Sequence, residues 1–388
     1  MKTSPLAAQR GVGTIVMSLL LVFAILLSVA FANRSMLFEA KTSANQYRAA
    51  QAYEAAEAGL DWAIAQLNSD TPIGDDCLPS TDAAAIALRA RTLDDVQAAC
   101  MQSGAGWSCH CPASGSPRLA EVEGNTIGFS TRISAASQPD LLQLTSTGRS
   151  GSVAVNSTQV LVGRLPGLDS LPTAALTVRG APIFALATFG LHHTDPTSGG
   201  LTLHSGGPVD STPLQLAGPP GSPPAASVFA ADRALAELSP DGLFASLFRM
   251  SKPAWREQPT VREVSCESAC DTALAQATAG SASPQLIWLR GGLRLDTPIT
   301  LGTATHPVLL VVDGPIEFHA KATVHGLIYG IASSWVDIAG ASIDGAVVIE
   351  GDLQASGASQ IHHDASALQA LHDHTGTYAR VPGSWRDF

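Results

Sequence analysis

Charge and aromatic rings are both scarce in this sequence of 388 residues, at 14% and 5% respectively. Against 45% hydrophobic residues, that scarcity of charge excludes a wholly disordered chain, which would be poor in apolar residues and strongly charged. Basic residues are outnumbered, 22 against 33, for a net charge of −11. Such a chain lacks the basic footprint that a phosphate backbone requires, so no nucleic-acid partner is expected. Catalytic signatures are also missing: there is no G-x-x-x-x-G-K, no G-x-S-x-G and no H-E-x-x-H. No enzymatic activity and no cofactor are therefore expected. With few large rings but 35 Gly and 24 Pro, the core must rely on small and β-branched residues, as many-turned β folds do. The length points to two or three structural units.

What is present is concentrated at the front. Between Arg10 and Arg34 run 23 residues without a charge, GVGTIVMSLLLVFAILLSVAFAN, and about 20 suffice for a helix to cross a bilayer. A secretory signal would have Lys2 and Arg10 as its basic end and Ala30-Phe31-Ala32 as its cleavage site, but its apolar region would be shorter. The sequence also stays helical in pattern from Phe38 to Leu67, rich in Ala, Glu and Gln and free of Pro. Tyr53, Leu60, Ile64 and Leu67 fall on one face. Asn68 to Gly74 is a stop. One helix from about Val12 to Leu67 is expected, lipid-soluble in its first half and amphipathic in its second. The positive-inside rule does not orient it, because Lys2 and Arg10 face Arg34, Lys41 and Arg48 across the apolar run.

This front end resembles the type IV pilin superfamily, and within it the PilX-type minor pilins. The matching residues are the leader ending Gln9-Arg10-Gly11, the apolar stretch from Val12, and Tyr53-Glu54-Ala55-Ala56-Glu57-Ala58-Gly59-Leu60. The resemblance covers roughly residues 5–68. It implies that prepilin peptidase cuts after Gly11 and methylates Val12, and that the helix becomes a packing spine among other minor and major pilins. One departure is Val16, where major pilins carry a glutamate that pairs with a neighbour's amino terminus. Its absence is shared with GspK-type pseudopilins and points to a priming or tip subunit.

Six cysteines follow: Cys77, Cys100, Cys109, Cys111, Cys266 and Cys270. An even count after a membrane segment suits an oxidising compartment such as the bacterial periplasm. The expected pairs are Cys266 with Cys270, and Cys77 or Cys100 with one of Cys109 and Cys111. Zinc at Cys109-His110-Cys111 is the rival, but the run lacks the two separated ligand pairs of a structural zinc module.

The fold class expected is α+β: the long helix, then a mainly β globular region ending in a β-solenoid-like repeat domain. The divisions read from the sequence are a leader at 1–11, the helix at 12–68, a disulfide-bearing α/β subregion at 75–165, an irregular Pro/Gly-rich region with short helices at 166–284, and the solenoid-like domain at 285–388. A short helix is expected within 82–101, and a hairpin turn at Gly148-Arg149-Ser150-Gly151. Residues 206–227 read as an exposed loop, and Phe229 to Met250 as helix broken at Ser239-Pro240-Asp241-Gly242. From Gln285 to about Ile361 a period near 20 recurs: Val324-His325-Gly326-Leu327-Ile328-Tyr329-Gly330 is echoed nineteen residues later from Ile343-Asp344-Gly345. An antiparallel sandwich such as a jelly roll is the alternative. The tail holds His362-His363-Asp364 and His372-Asp373-His374, further candidates for a divalent metal.

Two functions remain. One is a minor pilin in the inner membrane, its globular part in the periplasm and later at the pilus surface, priming assembly at or near the tip and meeting a tip adhesin. The same pattern also fits a pseudopilin of a related machine. The other is a secreted β-solenoid protein that binds or processes polysaccharide.

Overall fold

The computed structural model describes residues 12–388 except 83, 92, 94, 105, 112–125, 139, 153 and 280–282. The leader expected at 1–11 lies outside the described residues. Helix α1 runs unbroken from Val12 to Leu67 and, at 1.5 Å per residue, is about 84 Å long. It ends where Asn68 turns its side chain to the backbone of Tyr378, donating to the carbonyl and accepting from the N–H.

An antiparallel sheet packs on the last turns of α1. Its strands are β1 (Val96–Ser103), β2 (Gly106–His110), β3 (Ile127–Ala135), β4 (Leu141–Ser150) and β5 (Ala154–Leu165), ordered β2-β1-β3-β4-β5. The helix expected within 82–101 is instead a 3-10 turn at Leu88–Ala90 followed by β1. Helix propensity yields there because Cys100 pairs directly with Cys109 across the β1–β2 ladder and bonds to it. The β4–β5 hairpin exists, but its last pair is Ser150 with Ala154. Gly148, Arg149 and Ser150 therefore lie inside β4 and not in the turn.

The next 211 residues, 166–376, leave the sheet and return beside the point of departure. They build parallel coils with three faces. The first face holds β6 (Ala174–Val178), β9 (Leu201–Ser205), β11 (Val228–Phe229), β12 (Val261–Ser265), β13 (Gln285–Arg290), β16 (Val308–Asp313) and the carboxyl halves of β18 (Ala322–Gly330) and β20 (Ser342–Ile349). The second holds β7 (Pro182–Ala187), β14 (Leu293–Leu295), β17 (Ile316–Phe318), β19 (Ser334–Asp337) and β21 (Leu353–Gly357). The third holds β8 (Gly190–His192), β10 (Gln215–Ala217), β15 (Ile299–Leu301), β22 (Gln360–His363) and the amino halves of β18 and β20. Gln285 pairs with Val308, Val308 with Gly326, and Gly326 with Gly345, spacings of 23, 18 and 19 residues. Gly326 and Gly345 sit where β18 and β20 bend from one face to the next, at φ 134° and 153°. A Cβ on Gly345 would meet the Gly326 carbonyl at 1.8 Å, so the echo in the sequence is a corner that only glycine can stack.

Coils made early in the chain are placed after coils made late: β6 pairs with β20, β7 with β21, and β8 with β22. Residues 166–284, expected to be irregular, therefore supply β6–β12 to the same stack. Short strands between Pro- and Gly-rich turns carry too little periodicity to be seen alone, and their partners lie far along the chain. Within the expected loop 206–227, Gln215–Ala217 forms β10 and Pro224–Ser227 a 3-10 turn against the last coil. Helices α2 (Arg233–Glu237) and α3 (Pro240–Phe248) are separated at Leu238–Ser239, so of the expected break only Ser239 lies between them, capping α3 through the Gly242 N–H, while Pro240, Asp241 and Gly242 form its first turn.

Apolar residues of Ile287, Leu310, Ile328 and Val347 fill the inside of the coils. The first face is also covered outside, by α3, α4 (Lys252–Arg256) and α6 (Ala365–His374), which bury Phe244, Phe248, Trp255 and Leu368 against Trp288, Val311 and Tyr329. Burial on both sides explains the unbroken apolar runs of β13 and β16. Lys252 bridges Asp241 at 3.0 Å and Glu350 at 2.6 Å, and Tyr329 donates to Glu350 at 2.9 Å, tying this layer to β20. Helix α5 (Asp271–Thr278) packs across β12 and β15 at one end.

The chain then closes the first sheet. β23 (Thr377–Arg380) and β24 (Arg386–Asp387) pair antiparallel with β5, Thr377 opposite Leu165. The stretch 285–388 is thus not one domain: the parallel stack ends at His363, and residues 377–387 belong to the sheet that holds α1. Arg164 secures the joint by donating to the His372 and Thr375 carbonyls at the end of α6, where the helix dipole favours a cation.

Candidate functional site

From Ile15 to Phe38, the large apolar side chains of α1 are half to three-quarters exposed. This is the one described helix long and apolar enough to cross a membrane. Its hydroxyls are not left bare: Ser18 donates to the Ile15 carbonyl at 2.9 Å and Ser28 to the Ala24 carbonyl at 2.8 Å. A rod with its polar atoms satisfied internally is suited to lipid or to other apolar helices. Val16 places no carboxylate in it.

The upper part of α1 docks by shape. Its buried residues are Ala52, Ala55, Ala56, Leu60, Ala63 and Leu67, while Tyr53 stays 39% exposed and stacks edge-on against Trp385 at 6.3 Å. The expected face through Tyr53 and Ile64 is therefore rotated toward the small residues. The reason is close approach: a Cβ on Gly148 of β4 would lie 2.0 Å from the Ala52 carbonyl oxygen, and one on Gly59 2.2 Å from Ser146 Oγ. The string Ala55-Ala56-Glu57-Ala58-Gly59-Leu60 lets the sheet reach the helix backbone. Glu57 on its flank accepts from Trp385 Nε1 at 2.7 Å and pairs with Arg380 at 3.3 Å, and Arg380 also meets Asp61 at 2.7 Å.

Gly11 lies outside the described residues, and Val12 opens α1. The cysteines are arranged as Cys77–Cys111 and Cys100–Cys109, so both Cys109 and Cys111 are used, not one of them. Cys266 and Cys270, expected to be bridged, are buried thiols. They hydrogen-bond to each other; that contact and burial push the Cys266 thiol up, while the same contact holds Cys270 down. Cys270 is held by donating to the Arg294 carbonyl at 3.4 Å.

The candidate metal ligands are not assembled into one site. Asp364 caps α6, accepting from the Ser366 and Ala367 N–H groups. Burial opposes its charge, but donation from Ser366 and Ala367 outweighs it and holds the carboxyl below the usual range. His372 points to Asp373 at 2.8 Å, and His374 lies on the last turn of α6. Among the described residues no group of three His, Cys, Asp or Glu could hold a metal ion.

His362 and His363 instead join a column that sequence reading missed. His325 pairs with Asp344, Asp344 with His362, and His362 with His192 along the third face. His325, Asp344, His362 and His363 border an open cleft of about 660 Å³ with Asp195 and Asp364. Burial holds both His362 and His363 below the usual imidazole range, His192 adding to it for His362.

Residues 10–61 match the family described as PilX N-terminal. No curated protein matches the chain. Among solved structures the chain is similar to the competence-associated pilin ComZ from Thermus thermophilus, at 13% identity over 88% of this chain and 97% of that one, with a TM-score of 0.22 that carries no argument. The rod and the small-residue face that residues 10–61 encode thus form an amino-terminal segment of the PilX type.

Proposed function

We propose that the chain is a minor pilin of a type IV pilus, with a structural and not an enzymatic role. The observation that carries this reading is α1 itself: one continuous helix, exposed and apolar along its first half and clamped to a sheet along its last turns. A rod clamped in this way moves with its globular body, so burying the rod among partner helices places the body. In this reading prepilin peptidase cuts after Gly11 and methylates Val12, and the rod rests in the inner membrane with the body in the periplasm. It then transfers into a bundle of minor and major pilin helices, carrying the body to the cell surface.

Val16 favours a place at or near the tip. A buried carboxylate in an apolar bundle needs a partner; a subunit without one has nothing to offer the amino terminus of a subunit above it. It can begin a filament but is poorly suited to insert beneath one. The coils of 166–376 then project outward, toward a tip adhesin or another minor pilin.

The test is a clean deletion with complementation. Loss of surface pili, restored by the native gene but not by Leu20→Lys, is the expected result; a lysine at mid-rod costs about 3 kcal/mol for insertion. Normal piliation in a strain with no second minor-pilin set contradicts the reading.

A further inference from the structure

β8 joins β22 in parallel register, Gly190 with Gln360 and His192 with His362, at the seam where early coils meet late ones. Two pairs of imidazole rings stack across it. His192 lies over His362 at 4.4 Å and 20°, and His193 over His363 at 3.8 Å and 16°. The other groups facing the seam are His325 and Asp344 from β18 and β20, Asp364 at the head of α6, and Asp195 at the 3-10 turn Pro196–Ser198.

The two inner rings differ in how they can hold charge. His193 Nδ1 lies 2.8 Å from the Leu201 carbonyl, an acceptor only, so Nδ1 carries hydrogen. A proton added at Nε2 would be donated to Ser198 Oγ at 2.8 Å, whose hydroxyl reaches Asp195 Oδ2 at 2.9 Å. That chain ends on a carboxylate. His363 Nε2 donates to the Pro172 carbonyl at 3.0 Å, and its Nδ1 is buried without a hydrogen bond. A proton there would find no acceptor, and its charge would sit in a buried ring stacked 3.8 Å from the His193 ring. The seam thus offers a hydrogen-bond acceptor beside His193 Nε2 but none beside His363 Nδ1. In the outer pair His362 Nδ1 is likewise buried without a hydrogen bond, with Asp344 Oδ1 at 3.3 Å.

We propose that the stacked His193–His363 pair is an acid-sensitive latch: protonation of His363, whose Nδ1 has no acceptor in the closed seam, frees β8 and the Pro196–Ser198 turn from β22, while the remaining coils and the sheet on α1 stay closed. The sign follows from linkage. His363 is harder to protonate in the closed form than in the open one, so the open form binds more protons. Closure is therefore complete near neutral pH and is lost as pH falls below the ordinary imidazole range, about 6.5.

Hydrogen exchange of the full chain in detergent, corrected for the pH dependence of intrinsic exchange, tests this between about pH 7.5 and 5. Below about pH 6.5 each proton taken up on opening contributes about a tenfold rise in the opening constant per pH unit, at 190–198 and 360–363 only. β4 and β5 should stay flat. His363→Phe keeps a stacked ring and removes its titration, so it should lower the slope by about one proton and leave only the part due to His362; His363→Gln does the same if His363→Phe does not fold. A flat wild-type profile, a slope spread evenly over the whole chain, or an unchanged slope in a folded variant overturns the proposal.

Discussion

At Gly59 two local effects oppose each other. In an isolated helix, Gly59→Ala would add about 1 kcal/mol of stability. Here the new Cβ would fall 2.2 Å from Ser146 Oγ and 2.8 Å from the Phe129 ring, and overpacking of this kind costs about 1–3 kcal/mol. Packing should win, and denaturant unfolding of Gly59→Ala should show net destabilisation; a gain would mean that the helix stands off the sheet. Gly148→Val should lose about 3 kcal/mol, since its contacts are backbone atoms of Ala52 and Ala56 that cannot turn away. The string around Gly59 was legible as a family mark, but its reason was not. Hydropathy weights Tyr53 and Ile64 heavily and alanine hardly at all, whereas a face that must admit a sheet backbone is chosen for smallness. The histidines show the same limit: His362 and His363 stood out as neighbours in sequence, while His192, His193, His325 and Asp344 reach them only through strand register.

At the scale of elements, β1 and β2 owe their placement to sulfur as much as to side-chain pattern. Cys77 and Cys111 close a separation of 34 residues, for which chain-entropy arguments give about 3–4 kcal/mol. The Cys77→Ser, Cys111→Ser double variant should lose roughly that much in denaturant unfolding, and an unchanged midpoint would show the loop already held without the bond. The helical layer on the first face depends on a buried charge. Glu350→Gln leaves Lys252, largely buried, facing only the exposed Asp241, and breaking a buried pair costs about 3–5 kcal/mol. Its unfolding midpoint should fall accordingly, and a shift under about 1 kcal/mol would place the pair in the class of surface bridges. Strand pairing in β4–β5 and the break before α3 were legible because turn residues and capping residues sit within a few positions of each other. The β1 strand was not, because an Ala-rich segment carries a helical signature until the Cys100–Cys109 pairing is known.

At the scale of the whole molecule, the architecture is an insertion. β5 and β23 lie side by side with residues 166–376 between them, so the parallel coils hang from the sheet that clamps α1. The sequence marks the coils by their nineteen-residue echo but says nothing of the return, because adjacency of strands so far apart leaves no local pattern. A chain ending at residue 376 would lose β23, β24 and the Arg380 contacts to Glu57 and Asp61, exposing the β5 edge. The proposed function requires that α1 remain whole, since its first half is the exposed apolar surface and its last turns are the clamp. Mass spectrometry of the amino-terminal peptide of the protein purified from native membranes or sheared pili tests that most directly. The account predicts a chain beginning with methylated Val12; a chain beginning at Asn33, with the apolar rod removed, would contradict it.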